Sequence, residues 1–178
     1  MKDVTMSDEL LDLVSDDDCV ISQLLRSQVY AQNVSNFRVV NAFVVNDAGK
    51  LWIPRRTKTK RLFPLCLDTS MGGHVISGET YQQAFERELC EELNLHAPAL
   101  RYTMIGKLNP QSHGTSAFMQ LYFVYLNEVV AYNTQDFCEY FWLTPQECIA
   151  RLNSGDVGKG DLIKIVNYIL QHNLLSNI

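Results

Sequence analysis

Three glutamates and an arginine fall within residues 87–92, as Arg87, Glu88, Glu91 and Glu92. On an α-helix each residue turns about 100°, so Glu91 and Glu92 would lie roughly 60° and 40° from Glu88, on one face. Like charges at these spacings repel by about 0.2–0.5 kcal/mol per pair. A bound cation reverses that repulsion, and Mg²⁺ and Mn²⁺ prefer oxygen ligands. The face is therefore a candidate divalent metal site, with a solvated acidic helix as the alternative.

A glycine-rich segment precedes the acidic face. Residues 71–78 hold three glycines, which favours a turn-rich loop. Glycine lets the backbone approach a metal ion or a phosphate closely. Glu79 follows this segment, and seven residues separate it from Arg87. We interpret His74, which follows Gly73, as a loop residue in preference to a metal ligand.

The acidic residues require a helix to share a face, and the local sequence predicts one. Thr80 and Gln83 form a capping-box pattern, and no Gly or Pro occurs from Thr80 to about Leu93. Asn94 can end the helix because asparagine tolerates the left-handed conformation. The sequence therefore predicts a helix that begins at Thr80 and ends near Leu93.

Other elements follow from alternation, turn residues and caps. Residues 10–14 and 19–24 predict a hairpin, as part of an N-terminal extension over about residues 9–30. Residues 39–45 and 51–53 predict a second hairpin, followed by a basic loop at 55–61. Residues 118–126 predict a strand, a capping box at Thr144 opens a helix through Leu152, and Asp161 is predicted to cap a last helix. The fold class is α+β (mixed α/β), with helices packed on a sheet.

Composition limits the possible partners and compartments. The 178 residues carry a net charge of -5, which does not favour binding of nucleic-acid polymers. No apolar run approaches the roughly 20 residues that would span a membrane. Five scattered cysteines fit free thiols in a reducing cytosol, so we expect a cytoplasmic protein. With no linker or repeat, residues 1–178 are predicted to form a single domain, and a homodimer is left open.

The spacing of the charged residues resembles the Nudix box. Gly73, five residues, Glu79, seven residues, and then Arg87-Glu88-x-x-Glu91-Glu92 match its first glycine and its charged positions. Asn94 stands where the box has its second glycine. The resemblance implies a Nudix-type α/β/α sandwich, a mixed sheet with helices on both sides. It also implies a Mg²⁺-dependent hydrolase that cleaves a diphosphate linkage in a nucleoside diphosphate derivative or a similar small molecule.

The same resemblance assigns roles to individual residues. It implies that Glu88, Glu91 and Glu92 hold Mg²⁺, with Mn²⁺ as an alternative, and that the carbonyl of Gly72 is a further ligand. Glu88 or another carboxylate would activate the water. Arg87 and Glu79 would form an ion pair that holds the loop against the helix. The predicted catalytic residues are thus Glu79, Arg87, Glu88 and Glu91.

Two further groups of charged residues are candidate functional residues, but for each group a role as ordinary surface charge is equally favoured. Arg55, Arg56 and Lys58 could bind the substrate phosphates, or they could belong to a solvated loop. Nudix enzymes often recruit an additional acid from a later loop, and Asp136 and Glu139 are the nearest candidates. The alternative for both is an ordinary surface charge.

Two other functions fit a Nudix-like chain. Residues 38–67 and 142–145 resemble isopentenyl-diphosphate isomerase, which shares the fold. That enzyme needs a cysteine where this chain has Gly72, and glutamates where it has residues 115–118, so its proton transfers lack an acid and a base. A non-catalytic nucleotide-binding Nudix domain typically loses the box carboxylates, which this chain retains. Hydrolysis is therefore the favoured function.

Overall fold

The computed structural model describes residues 8–176. The described chain starts with a two-stranded hairpin, β1 (Leu10–Val14) and β2 (Val20–Leu25), which confirms the predicted hairpin. The rest of the predicted extension is different, because residues 26–31 form a short helix, α1 (Arg26–Ala31). This helix begins where the Gln28 side chain accepts a hydrogen bond from Leu25 N at 3.1 Å.

The remaining strands form one six-stranded mixed sheet. They are β3 (Arg38–Val45), β4 (Leu51–Arg56), β5 (Met71–His74), β6 (Tyr102–Leu108), β7 (Phe118–Tyr125) and β8 (Phe137–Leu143). The order is β6-β7-β3-β4-β8, and β5 also pairs with β3. Only β3 and β7 are parallel, while the other neighbours are antiparallel. The predicted strand at residues 118–126 is confirmed and ends one residue earlier.

The glycine-rich segment enters this sheet because β3 and β4 separate. They are paired only at Val45 and Leu51, next to their turn. Beyond that point β5 pairs with β3, from Met71 opposite Ala42 to His74 opposite Val39. The segment predicted as a loop at 71–78 therefore begins as a strand. The basic loop predicted at 55–61 is also shorter than expected, because residues 55 and 56 belong to β4 and pair with β8.

Helices cover both faces of the sheet. On one face, α2 (Tyr81–Leu93) buries Phe85 and Leu89 against β3 and β7. On the other face, α4 (Pro145–Asn153) and α5 (Leu162–Gln171) pack against the sheet, with Ile165 and Val166 in the core. A single turn, α3 (Pro110–His113), lies between β6 and β7. The arrangement confirms the predicted α/β/α sandwich around a mixed sheet.

Local capping explains where the helices begin and end. Thr80 N donates to the Gln83 side chain at 2.8 Å, and Asn94 adopts a left-handed φ of 52°, so both predicted ends of α2 are confirmed. The capping box at Thr144 is also present. Asp161 stands at the N-cap position of α5, as predicted, but its side chain makes no capping hydrogen bond. Its carboxylate accepts hydrogen bonds from Ser116 N at 2.7 Å and from the Lys164 ammonium at 2.9 Å.

The helices between residues 8 and 176 are short, and α2 has 13 residues. Within that part of the chain, none combines the length and the apolar character needed to cross a membrane. The five cysteines also lie there as free thiols, of which Cys66 and Cys148 are buried.

Candidate active site

The N-terminal hairpin is fixed to the loop between β5 and α2. Asp12 accepts hydrogen bonds from the Ser77 hydroxyl at 2.7 Å, from Gly78 N at 3.1 Å and from the Gln23 amide at 3.0 Å. Burial opposes ionisation of this carboxyl, but the hydrogen bonds hold the pKa of Asp12 below its usual range. The extension is therefore tied directly to the turn that leads into the acidic helix.

A bidentate ion pair joins the same loop to α2. Arg87 Nε lies 2.8 Å from Glu79 Oε1, and Arg87 Nη2 lies 2.9 Å from Glu79 Oε2. Arg87 Nη2 also donates to the carbonyl of His74 at 2.9 Å, and Ile76 N donates to Glu79 at 3.0 Å. The hydrogen bonds from Arg87 hold the pKa of Glu79 below its usual range. The structure thus brings Arg87 and Glu79 together and anchors the end of β5.

Glu88 lies against the backbone of β5 beside Gly73, where a larger side chain would displace its carboxylate. A Cβ at Gly73 would stand 1.9 Å from Glu88 Oε1, far inside contact distance. The Glu88 carboxylate is buried and accepts a hydrogen bond from Arg87 Nη1 at 2.7 Å. Burial raises the pKa of Glu88 above its usual value. The glycine therefore leaves space for a carboxylate of α2 against β5.

Glu92 lies beside the preceding residue of β5. Gly72 N donates to Glu92 Oε2 at 3.0 Å, and a Cβ at Gly72 would stand 2.3 Å from Asn41 Oδ1. Burial, together with the charge of Glu88, raises the pKa of Glu92 to about 8. The contact is made by the amide of Gly72, so the ligand role of its carbonyl stays a prediction. Glu91, one turn from Arg87, is exposed.

The donors around β5 fit a divalent metal ion in their chemistry. Within residues 8–176, no three His, Cys, Asp or Glu side chains already converge on one point. Arg87 Nη1 lies 2.7 Å from Glu88 and 3.5 Å from Glu91, so one guanidinium serves both carboxylates. Three carboxylates on one helical face supply the hard oxygen ligands that Mg²⁺ and Mn²⁺ accept.

These carboxylates line a cavity of about 860 Å³. This volume lies in the upper part of the range of about 300–1,000 Å³ that small-molecule sites occupy. Four basic side chains line it: Arg26, Arg56, Lys60 and Lys159. Seven carboxyl groups line it: Glu9, Asp68, Glu88, Glu91, Glu92, Asp136 and Asp161. The cavity therefore has more acidic than basic groups.

Only some residues of the basic segment at residues 55–61 line the cavity. Arg55 donates to both oxygens of Asp156, at 2.7 and 2.8 Å, and also pairs with Glu139. The hydrogen bonds from Arg55 hold the pKa of Asp156 well below its usual range. Arg55 and the exposed Lys58 lie outside the cavity lining.

Arg56 does line the cavity, but its guanidinium already has partners. It donates to Asp68 at 2.8 Å and to the carbonyls of Leu62 and Phe63, both at 3.1 Å. Lys159 lies 3.0 Å from the same Asp68. The buried Asp68 therefore joins two cations of the cavity wall, and neither Asp68 nor Lys159 was predicted as a site residue. Their sequence separation from the acidic helix leaves no pattern that could have identified them.

Of the two candidate extra acids, one lines the cavity and the other does not. Asp136 lines the cavity and forms an ion pair with Lys60. Glu139 lies in β8, pairs with Arg55 and is outside the lining. The structure thus brings only Asp136 close to the acidic face.

His74 ends β5 and is part of an aromatic cluster. Its Nε2 lies 3.0 Å from the hydroxyl of Tyr30, and its ring stacks on Phe37 with centroids 5.6 Å apart. Burial lowers the pKa of His74 to about 3, so the ring is neutral at pH 7. The residue interpreted as a loop histidine is therefore a strand residue that joins α1 to β3.

Comparison with known proteins identifies the family to which this chain is similar. The model of the NUDIX domain matches residues 35–163. An uncharacterized Nudix hydrolase of Nostoc sp. is 56% identical over 89% of this chain and 94% of its own length. A Nudix hydrolase of Deinococcus radiodurans is 44% identical over 90% of this chain and 94% of its own. The crystal structure of DR0079 from Deinococcus radiodurans superposes with a TM-score of 0.86, at 43% identity, over 90% of this chain and 98% of that one.

Proposed function

Because this chain belongs to the Nudix hydrolase family, we propose that it uses Mg²⁺ to hydrolyse a diphosphate linkage in a small organic molecule. The family consists of enzymes that act on pyrophosphate bonds and generally need a divalent metal. The finer proposal is that Glu88, Glu91 and Glu92 hold the metal, with Mn²⁺ as an alternative. The substrate would be a nucleoside diphosphate derivative or a similar small diphosphate.

The excess of carboxylates in the cavity carries this proposal. Asp68, Asp136 and Glu9 are paired with basic side chains of the same cavity. Glu88 and Glu91 share Arg87, and Glu92 accepts only a backbone hydrogen bond among the contacts of the described residues. A diphosphate brings further negative charge, and it could not approach these groups without an additional cation. A divalent metal would neutralise the phosphate oxygens and lower the pKa of a bound water.

The residues of the chain would then have separate tasks. Arg87, held by Glu79, orients Glu88, and Gly73 leaves space for that carboxylate. The amide of Gly72 orients Glu92. A rigid arrangement of this kind aids catalysis because the reacting groups need no reorganisation.

The cations of the cavity wall would bind the outer phosphate oxygens. We propose Arg56 for this role, together with Lys60 and Lys159, which line the same cavity. Substrate binding by Arg55 and Lys58 stays a prediction from the sequence, since both lie outside the lining. Asp136 is the better placed of the two candidate extra acids. Cytoplasmic localisation and a homodimer also stay predictions.

An isomerase-like function has less support from the cavity. None of the five cysteines is among the residues that line it in the described part of the chain. The position before Gly73 is a glycine in the middle of a strand, where it provides no thiol. A non-catalytic nucleotide-binding domain would use the same cavity, and it would differ by the absence of turnover.

The test is a hydrolysis assay with a panel of nucleoside and non-nucleoside diphosphates, in Mg²⁺ and in excess chelator. We expect Glu88→Gln to lower kcat by at least about 100-fold, or roughly 3 kcal/mol. Glu86→Gln is the matched control, because Glu86 is an exposed glutamate of the same helix outside the cavity. Full activity in chelator, or equal rates in the two variants, would reject the proposal.

A further inference from the structure

The lining of the cavity also includes large apolar side chains. Tyr30, Leu62 and Phe63 line it, and they remain 43%, 38% and 45% exposed. Val34 and Met119 add further apolar surface to the same lining. Large apolar side chains that stay exposed inside a concave site are typical of a surface that binds a ligand.

The loop that carries two of these side chains is strained. Phe63 and Leu65 have left-handed φ values of 53° and 60°. Bulky residues rarely adopt this conformation, because the side chain then crowds the backbone. Such strain persists only where neighbouring groups impose it, and it often accompanies a functional constraint.

Two arginines impose this conformation. Arg56 donates to the carbonyls of Leu62 and Phe63, both at 3.1 Å, and Arg55 Nη1 donates to the carbonyl of Leu65 at 3.0 Å. Both guanidiniums are in turn held by carboxylates, as described above. The network thus keeps the Leu62 and Phe63 side chains at the cavity although no neighbour buries them.

Tyr30 reaches the cavity from the N-terminal extension, outside the residues matched by the family model. Its hydroxyl contacts His74, and its ring lies edge-on to Phe37 with centroids 6.2 Å apart. Asp12 ties the extension to the loop after β5, as shown above. The ring of Tyr30 is therefore held in place by several contacts before any ligand binds.

We infer that Tyr30 and Phe63 form a specificity subsite for a planar aromatic group of the substrate, next to the diphosphate-binding end. This inference rests on the proposed function. Polar side chains at the same cavity favour an aromatic ring with polar edges over an aliphatic chain. Asn33, Asn133 and Gln135 line it, and covering their amides with a purely aliphatic group would leave hydrogen bonds unmade.

Binding can be measured without turnover, by calorimetry in Mg²⁺. The probes are α,β-methylene analogues of the four ribonucleoside diphosphates, and methylenediphosphonate, which has no ring. Stacking of one base on an aromatic side chain is worth about 1–3 kcal/mol, or roughly 5- to 150-fold in affinity. We expect at least one ring-bearing analogue to bind 10-fold or more tightly than methylenediphosphonate.

Substitutions of Tyr30 and Phe63 test whether their rings cause this difference in affinity. Tyr30→Ala and Phe63→Ala should each weaken the ring-bearing analogue by at least fivefold, with methylenediphosphonate unaffected. Tyr30→Phe and Phe63→Tyr retain a ring and should retain affinity, while Phe63→Leu, which preserves an apolar side chain, should not. Leu65→Ala is the matched control, because Leu65 lies in the same strained loop, is exposed, and does not line the cavity.

The outcomes separate this inference from the proposed function. Loss of hydrolysis in Glu88→Gln, together with unchanged ring affinity in both Tyr30→Ala and Phe63→Ala, would overturn the inference and leave the hydrolase intact. Equal affinity for ring-bearing and ring-free probes would also overturn it. Absence of binding by every probe, including methylenediphosphonate, would contradict both.

Discussion

The acidic face at residues 87–92 and the basic segment at residues 55–61 are alike in sequence and opposite in structure. Each is a short run dense in one kind of charge. In the basic segment, Arg55 and Arg56 are bound by carboxylates from distant parts of the chain, at Asp156 and Asp68. On the acidic face, the carboxylates outnumber the one arginine that serves them.

This difference indicates which charges are already compensated within the fold and which still need a counter-ion. A partly buried ion that is fully hydrogen-bonded holds its neighbours in place, and removing one partner leaves the other uncompensated. A group of like charges without enough partners destabilises the protein alone and becomes favourable when a counter-ion binds. Variants that change stability without changing activity, or activity without lowering stability, can therefore test the comparison.

The largest effect is expected at Glu92. Glu92→Gln retains shape and hydrogen-bonding ability but removes charge, so kcat should fall by at least about 100-fold, or roughly 3 kcal/mol. The fold should survive in chelator and be slightly more stable, because the variant removes a carboxyl whose ionisation is opposed by burial and by the charge of Glu88. Thermal melts provide the measurement. Mg²⁺ at 100 times its Kd stabilises a protein by about 2.7 kcal/mol, and it should stabilise the parent more than Glu92→Gln. Identical Mg²⁺ effects on the two proteins would contradict the comparison.

A smaller effect, on stability alone, is expected at Asp156. Hydrogen bonds to charged groups contribute about 1.5–3 kcal/mol, and Asp156 accepts such bonds from Arg55 and Arg151. Asp156→Asn should lower the free energy of unfolding by about 2 kcal/mol in urea titrations. The kcat of the folded variant should stay within about twofold. A loss of turnover without a loss of stability would show that this network belongs to the active site.

The contribution of Asp156 should also depend on pH. Its pKa is lowered in the folded state, so the carboxylate stabilises the protein at pH values above its unfolded pKa of about 3.9. That stabilisation is lost progressively as the pH falls from this value towards the lower pKa of the folded state. Urea titrations at pH 7 and pH 3 should therefore show a smaller difference between the parent and Asp156→Asn at pH 3. A difference that is constant with pH would contradict the assignment.

The third effect separates Asp136 from Glu139. Asp136 lines the cavity, so Asp136→Asn should change kcat by more than about threefold, or 0.6 kcal/mol. Glu139 pairs with Arg55 outside the cavity, and Glu139→Gln should change kcat by less. Steady-state assays in saturating Mg²⁺ provide the comparison. If Glu139→Gln has the larger effect, or neither variant changes the rate, the role of Asp136 is wrong.

For the last prediction we expect no isomerase activity at all. Gly72 occupies the position of the isomerase cysteine, so incubation with isopentenyl diphosphate should yield no dimethylallyl diphosphate. Gas chromatography of the dephosphorylated products is a suitable assay. Turnover that persists after removal of contaminating isomerase would make the isomerase-like function the better one.

The sequence alone determined the parts of this protein that depend on short-range spacing. Helix α2, its cap at Thr80, its left-handed end at Asn94 and the common face of its three glutamates follow from residues within a few turns of one another. The hairpins and the class of fold follow from alternation and turns, since these patterns are also local. The Nudix resemblance needs only the interval from Gly73 to Glu92.

The tertiary structure decided which charges find partners. The partner of Arg55, Asp156, lies 101 residues away, and Lys159 reaches Asp68 from the other end of the chain. The insertion of β5 beside β3 brings Gly73 against Glu88, and the docking of α1 brings Tyr30 to the cavity. These contacts depend on how strands and helices pack. The residue types alone do not show which charged side chains pair across such long stretches of sequence. Only the folded chain shows which charges still lack a counter-charge.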